Sequence, residues 1–418
     1  MNFRLPVLAA VTAAYLYKMF LAVLHMRSAK NPIPENVADV YDRDTYLKWR
    51  AYHAEKSRFS ILTSTVEFAA ELALLAFGVY AAFAGLFPGT DFMQLFAVVL
   101  LSALSSLVML PFSWHETMVI EEKYGFNKAS PKTFLSDQAK GLIIEILLTT
   151  VIGVILMSVH RRLGDWMIAA FAVVMTLLAI GISFLYPVFS RIFNKFVPLE
   201  DGELRNRLSA LLEKNGYKVR DIKIMDASRR TTKTNAYFTG FGKMKTIVLY
   251  DTLAESMEPE EICAVFAHEM GHGLHKDTLK NQILSFLQMS ILGVLAWLTL
   301  RTDALFTSFG FSGINYGFAM ILIMSAEFAL IAPLFGLLVQ YFSRKAEYRA
   351  DRQAVREGYG RELISGLKKL ARRNLSDLAP SPLLVRLEYS HPPLSRRIEA
   401  IEQAMKQENR PAERGTAE

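Results

Sequence analysis

Apolar residues in this chain gather into long unbroken runs rather than alternating with polar ones. Seven runs reach membrane-spanning length: about 5–24, 63–87, 93–113, 141–159, 166–189, 283–300 and 317–340. Between the fifth and sixth runs the pattern changes. Residues 201–218 put Leu204, Leu208, Leu211 and Leu212 on one face of a helix, with Gly216 as its stop. A strand is predicted from Asp221 to Met225. Two further strands, Asn235 to Thr239 and Thr246 to Tyr250, flank a turn at Gly242-Lys243-Met244 and read as a hairpin. Another helix is predicted from Pro259, a favourable first-turn residue, with Glu260 and Glu261 at its positive end. The pattern predicts a mainly α polytopic membrane protein carrying an α+β polar domain. The expected divisions are 1–190 (spans one to five), 191–282 (polar domain), 283–341 (spans six and seven), 342–402 (the rest of the polar domain) and a disordered tail over 403–418.

Composition agrees with a membrane part joined to a polar part, since 52% of the 418 residues are hydrophobic and 21% are charged. The net charge of +7 is not gathered into basic blocks interleaved with aromatics, which argues against a nucleic-acid partner. The cations flank apolar runs instead. Arg27, Lys30, Arg43, Lys48, Arg50, Lys56 and Arg58 follow the first run, and Lys123, Lys128, Lys132 and Lys140 follow the third. The opposite side carries Arg4, Arg161, Arg162 and Arg301. The positive-inside rule therefore puts the N-terminus outside and both polar segments in the cytoplasm. Reading the first run as a cleaved signal peptide would reverse this, and its length and Lys18 argue for a span. Cys263 is the only cysteine, which excludes an internal disulfide and suits a reducing compartment.

Several acids interrupt the spans. Glu67 and Glu145 lie close enough to the ends to snorkel, whereas Glu327 is central and is expected to face protein or a wet cavity.

The polar domain carries one motif with a specific chemical meaning, His268-Glu269-Met270-Gly271-His272. Histidines four apart on a helix project from one face and can share one zinc ion, with Glu269 beside the water that the ion activates. A catalytic zinc needs a third protein ligand. Glu347 is the best candidate, with Asp351 one turn on and able to orient a ligand histidine. His272 lies about 11 residues before the sixth run and Glu347 about six after the seventh, roughly 16 and 9 Å as helix, so both would emerge at one membrane face at similar depth. His275, one turn beyond His272, is a rival third ligand that reads better as solvated or as a support to the ligands. Cys263 reads as helix packing.

The seven runs, this motif, the Glu347-to-Asp351 segment and Ser390-His391-Pro392-Pro393-Leu394 together resemble the type I CAAX prenyl protease family, integral-membrane zinc metalloproteases of the gluzincin type. Glu122-Lys123-Tyr124-Gly125-Phe126-Asn127 and Asn235-Ala236-Tyr237 add to the likeness, which spans roughly residues 1–402. The resemblance implies seven helices around a large water-filled chamber, with Glu71 and Glu327 in its wall. It implies one zinc on His268, His272 and Glu347, Glu269 as general base and Asp351 as a supporting acid. It also implies that His391 steadies the oxyanion, that Arg397 binds substrate near its C-terminus, and that Asn235 lies on the strand that aligns the peptide. The expected partners are the bilayer and peptide or protein substrates, prenylated or otherwise membrane-associated.

Three other readings compete. A quality-control protease resembling the HtpX family would have fewer spans. A site-2-type protease would carry the motif within a span, and here its neighbours are charged. A seven-span receptor, transporter or inactive scaffold would carry it by coincidence. The C-terminal residues show no dilysine or KDEL-type signal, which favours a bacterial inner membrane over the endoplasmic reticulum.

Overall fold

The computed structural model describes residues 2–239 and 244–409, without the side chains of 183–189, 218–220, 238, 239, 244, 245 and 278. The N-terminal half is helical: α1 (Arg4–Ser28), α2 (Arg43–Ala76), α3 (Val79–Gly85), α4 (Asp91–Val108), α5 (Leu110–Trp114), α6 (Pro131–Leu163) and α7 (Met167–Phe193). A mixed segment follows, with β1 (Phe196–Pro198), α8 (Glu203–Lys214), β2 (Lys218–Met225), β3 (Ala236–Thr239), β4 (Met244–Tyr250), α9 (Asp251–Ala254) and α10 (Pro259–Leu274). The remainder is α11 (Asp277–Leu300), α12 (Asp303–Ser308), α13 (Tyr316–Leu322), α14 (Phe328–Arg356), α15 (Gly360–Arg373), α16 (Pro382–Leu387) and α17 (Leu394–Glu408).

Among the described residues six helical runs are long and apolar enough to cross a membrane, and the fourth covers Pro131–Ile182. That run is two helices. The chain breaks at Gly164–Trp166, and Lys140 near the start of α6 donates to the Ile192 carbonyl at the end of α7 (3.0 Å), so α6 and α7 run antiparallel. All seven apolar stretches therefore lie on helices. The second is interrupted, because α2 ends at Ala76 and Gly78 adopts a left-handed conformation (φ 65°) before α3. A π-helical segment, Ile323–Glu327, joins α13 to α14 within the seventh.

The loops sort to two ends. At one, Arg161 pairs with Asp91, Trp297 donates to Asp165 (2.8 Å), and Phe3 N–H donates to Ser308 (2.9 Å). At the other, Tyr52, Lys56 and Lys233 converge on Glu121, Arg230 grips Asp137, and Asn36 meets Ser395. Residues 30–62, 115–140, 190–239, 244–276 and 341–408 thus share one end, as an odd number of crossings requires.

At that end a four-stranded sheet has the order β1-β2-β4-β3, with β2 and β4 parallel and the other pairs antiparallel. β3 is an edge strand. The hairpin strands are present, while Gly242 and Lys243 of the expected turn fall outside the described residues. A core formed by Leu208, Leu212, Ile222, Ile247, Ile262, Phe266, Met270, Ala354 and Ile401 ties the sheet to α10, α14 and α17. A second core joins Trp49, Tyr52, Ile120 and Phe126 to Leu375 and Ile398, locking the loops onto the C-terminal helices. One expectation is corrected here. Residues 403–408 are not a disordered tail, because α17 continues to Glu408 and buries Ala404 beside Ile401.

Candidate functional site

The site is built on α10 and α14. Glu258 caps α10 in a capping box with Glu261, and Pro259 opens the first turn, which fixes where the helix starts and hence which face carries the histidines. Gly271 lets the two helices meet. A Cβ there would lie 2.8 Å from the Ala350 Cα, closer than real Cβ atoms come to backbone. The glycine inside the H-E-x-x-H motif is thus what brings Glu347 and Asp351 against the histidines.

His268, His272 and Glu347 each offer a ligand atom within 4.8 Å of the others. His268 Nε2 lies 3.5 Å from Glu347 Oε2, and His272 Nε2 lies 3.3 Å from Oε1. Both outer nitrogens have carboxylate partners: His268 Nδ1 sits 2.8 Å from Asp351 Oδ1 and His272 Nδ1 sits 3.2 Å from Asp277 Oδ2. With Nδ1 donating, each Nε2 keeps its lone pair for a metal. Glu347 is only 4% exposed, and its Oε2 is buried with an ion-pair contact to Arg397 Nη1 (3.3 Å) in place of a well-formed hydrogen bond. Two imidazole nitrogens facing one buried carboxylate, each at its own oxygen, fit a zinc ion. Burial alone would depress the pKa of His272, but the hydrogen bond and charge of Glu347 outweigh it and raise it to about 9, so the pocket favours an added positive charge.

Asp277 is a functional residue that the sequence reading passed over as a charged neighbour. Lys276 turns the chain in a left-handed conformation (φ 55°), so the first residue of α11 comes back against His272, and Arg349 holds Asp277 at 2.7 Å. The spacing of five residues across a helix junction gives no periodic signal. Glu269 is half-buried on the same helix face region as the ligands, and its charge is felt by His272 and Arg397.

His391 approaches from the loop before α17. Its Nε2 lies 3.3 Å from Glu347 Oε1, its Nδ1 is paired with Ser390 Oγ at 2.8 Å, and its side chain is 62% exposed, so it borders the site from the open side. Arg397 is placed otherwise than a substrate-binding cation would be. It is 8% exposed, clasps Asp351 at two points (2.9 and 2.6 Å), and points Nη1 at Glu347 Oε2 (3.3 Å). Burial would weaken its charge, but Asp351 overrides that and keeps it protonated. Asn235 is exposed at the start of edge strand β3, and its carbonyl accepts from Tyr250 N–H (3.1 Å). His275 caps the end of α10 and is not in the metal-ligand group, and Cys263 is fully buried among the domain core.

Two family descriptions match consecutive parts of the chain. Residues 22–195 match the CAAX prenyl protease N-terminal domain with five membrane helices, and residues 198–405 match peptidase family M48. The chain belongs to the CAAX prenyl protease family. The resemblance read from the motifs is borne out, and the chain is an integral-membrane metalloendopeptidase of that family. It is 31% identical to the CAAX prenyl protease 1 homolog of Arabidopsis thaliana, over 96% of this chain and 97% of that one. It is also 31% identical to CAAX prenyl protease 1 of Saccharomyces cerevisiae, over 90% of each chain, and 28% identical to the Homo sapiens homolog, over 94% of each. The crystal structure of S. mikatae Ste24p superposes with a TM-score of 0.90 at 27% identity, covering 96% of this chain and 99% of that chain.

Proposed function

We propose that this family member is a zinc-dependent endopeptidase that cuts near the C-terminus of CAAX-type prenylated, or other membrane-associated, substrates at its cytoplasmic face. The observation that carries the reading is the buried Glu347 carboxylate facing His268 Nε2 and His272 Nε2, one at each oxygen, while the other ring nitrogens are held by Asp351 and Asp277.

His268, His272 and Glu347 would hold one zinc ion, which supplies Lewis acidity to water and to the scissile carbonyl. Glu269 takes the proton from the attacking water and delivers it to the leaving amine. His391, on the open side of the site, donates to the oxyanion as it develops. Asp351 fixes the ring of His268, and Arg397 keeps Asp351 ionised; with its donors spent on acids, Arg397 acts in this reading through Asp351 more than on the substrate. An extended peptide adds to the open edge of β3 beside Asn235, so recognition there runs through backbone rather than side chains.

A wet chamber between the spanning helices is part of the proposal. Among the described residues no span buries more than 28% of its most apolar window, which leaves much of each helix facing lipid or a space between the helices. Glu71 accepts from Tyr80 and Glu327 from Thr299 (2.7 Å each), so both acids within the spans face protein hydroxyls rather than lipid. The charge bias of the loops assigns the catalytic end to the cytoplasm. The relatives named above come from a plant, a yeast and an animal. The five-helix N-terminal match argues against the smaller HtpX-like architecture.

The test is cleavage of a farnesylated C-terminal peptide by the wild type and by Glu269→Gln at equal zinc loading. The variant is expected to keep its zinc and lose roughly 10²–10⁴-fold in rate. Full activity in Glu269→Gln would sink the mechanism. No cleavage by the zinc-loaded wild type would leave the metal chemistry intact and overturn the prenylated substrate class.

A further inference from the structure

A basic cavity of about 440 Å³ opens where α6 and α7 meet the catalytic end, away from the zinc site. Lys132, Lys140, Arg191, Lys195, Arg229 and Arg230 line it, against one acid, Asp137. That acid is already engaged: Arg230 holds it at two points (2.7 and 3.1 Å), and Lys140 sits 3.8 Å away. Among the described residues Lys132, Arg191, Lys195 and Arg229 make no ion pair and are exposed, so four cations border one space without a carboxylate bound to any of their side chains. Like charges gathered in this way cost free energy unless an anion joins them.

Position decides which anion. Lys132, Ser136 and Lys140 recur every four residues on one face of α6, and Lys140 directly precedes the apolar stretch 141–159. Arg191 comes just after the apolar stretch 166–189 of α7. The cavity mouth therefore lies at the level of lipid headgroups, with Lys132 about 12 Å further out along α6. Ile192 (44% exposed) lines it, and Leu135 (49% exposed) lies next to Ser136 in α6, which gives acyl chains an apolar margin. Serine and threonine hydroxyls of Ser130, Thr133 and Ser136 add neutral donors for phosphate oxygens.

We propose that this cavity binds the phosphate-bearing headgroup of an anionic phospholipid in the leaflet facing the catalytic domain. The four unpaired cations and the hydroxyls at the start of α6 take the phosphate oxygens, and the acyl chains run along α6 and α7 into the bilayer. The bound headgroup also bridges the membrane helices to the sheet. Lys195 directly precedes β1, and Arg229 and Arg230 end the turn after β2, whose next residues lead to Asn235 and the β3 edge. Lipid occupancy therefore steadies the base of the substrate-aligning strand.

The test is native mass spectrometry of the full-length protein released from bilayers of phosphatidylcholine with a tenth of phosphatidylglycerol. The wild type is expected to retain phosphatidylglycerol in preference to phosphatidylcholine. Replacing Lys132, Arg191, Lys195 and Arg229 by Gln, with zinc content checked to confirm folding, is expected to lower that preference at least roughly tenfold, since each such cation contributes about fivefold at a membrane surface. The pair Lys132→Gln and Arg191→Gln is expected to fall between. A control removing Lys48, Arg361, Arg373 and Lys406 is expected to keep the wild-type preference. Equal retention by the four-fold cavity variant, or the same loss in the control, would overturn the site. Displacement of the lipid by millimolar inorganic phosphate would overturn its assignment to lipid in favour of a soluble anion.

Discussion

Asp351 and Arg397 form a two-point ion pair, and the Asp351 oxygen that takes Arg397 Nη2 at 2.6 Å also takes His268 Nδ1 at 2.8 Å. One carboxylate thus orients a histidine of the proposed zinc site while a buried guanidinium fixes the carboxylate. Asp351→Asn keeps the shape but loses the charge and offers a donor to the wrong partner. Zinc affinity is expected to fall 10- to 100-fold, measured by competition with a chelator. Unchanged affinity would mean that His268 is oriented by packing alone.

Arg344 lies one turn before Glu347 on α14 and donates from Nη1 to the carbonyls of Val385 (2.9 Å) and Tyr389 (2.7 Å). It therefore pins the loop carrying His391 to the helix carrying Glu347. Arg344→Met is expected to lower kcat about tenfold or more with zinc content and KM little changed, because charged hydrogen bonds of this kind are worth about 1.5–3 kcal/mol. Added to His391→Ala it should cost little further. Additive losses would show that Arg344 acts elsewhere.

Glu261 ties the start of α10 to α15 through Lys369 (2.7 Å) and Ser365 (2.6 Å). Burial raises its pKa, but these bonds outweigh burial and hold it below its ordinary 4.5. A carboxyl held low adds stability that is complete above its unfolded value and is lost as pH falls through the folded one. The wild type should therefore lose thermal stability below about pH 4.5, and Glu261→Gln should flatten that part of the profile while lowering stability at pH 7. Parallel profiles in the two proteins would contradict this.

What the sequence disclosed follows from how each feature is encoded. Apolar runs and the i, i+4 histidine pair are periodic and local, so the helices and the group of residues able to hold a metal could be read directly. Gly271 was visible as a residue, but its reason, the approach of Ala350, is a contact between helices 79 positions apart. Asp277 and Arg344 escaped because each acts across a chain turn or through backbone carbonyls, which leave no pattern in residue type. Arg397 came only from the family resemblance, and its burial against Asp351 could be seen only once α14 and α17 were packed together. The helical end at Glu408 was missed because polar residues dominate a helix that buries only a narrow stripe.

The central claim is that Glu347 completes a zinc site with His268 and His272. Metal analysis of Glu347→Ala, purified beside the wild type, tests it most directly. The wild type should carry one zinc per chain and the variant less than about a tenth of one, because two histidines alone hold zinc poorly. Retention of a full equivalent of zinc by Glu347→Ala would contradict the assignment.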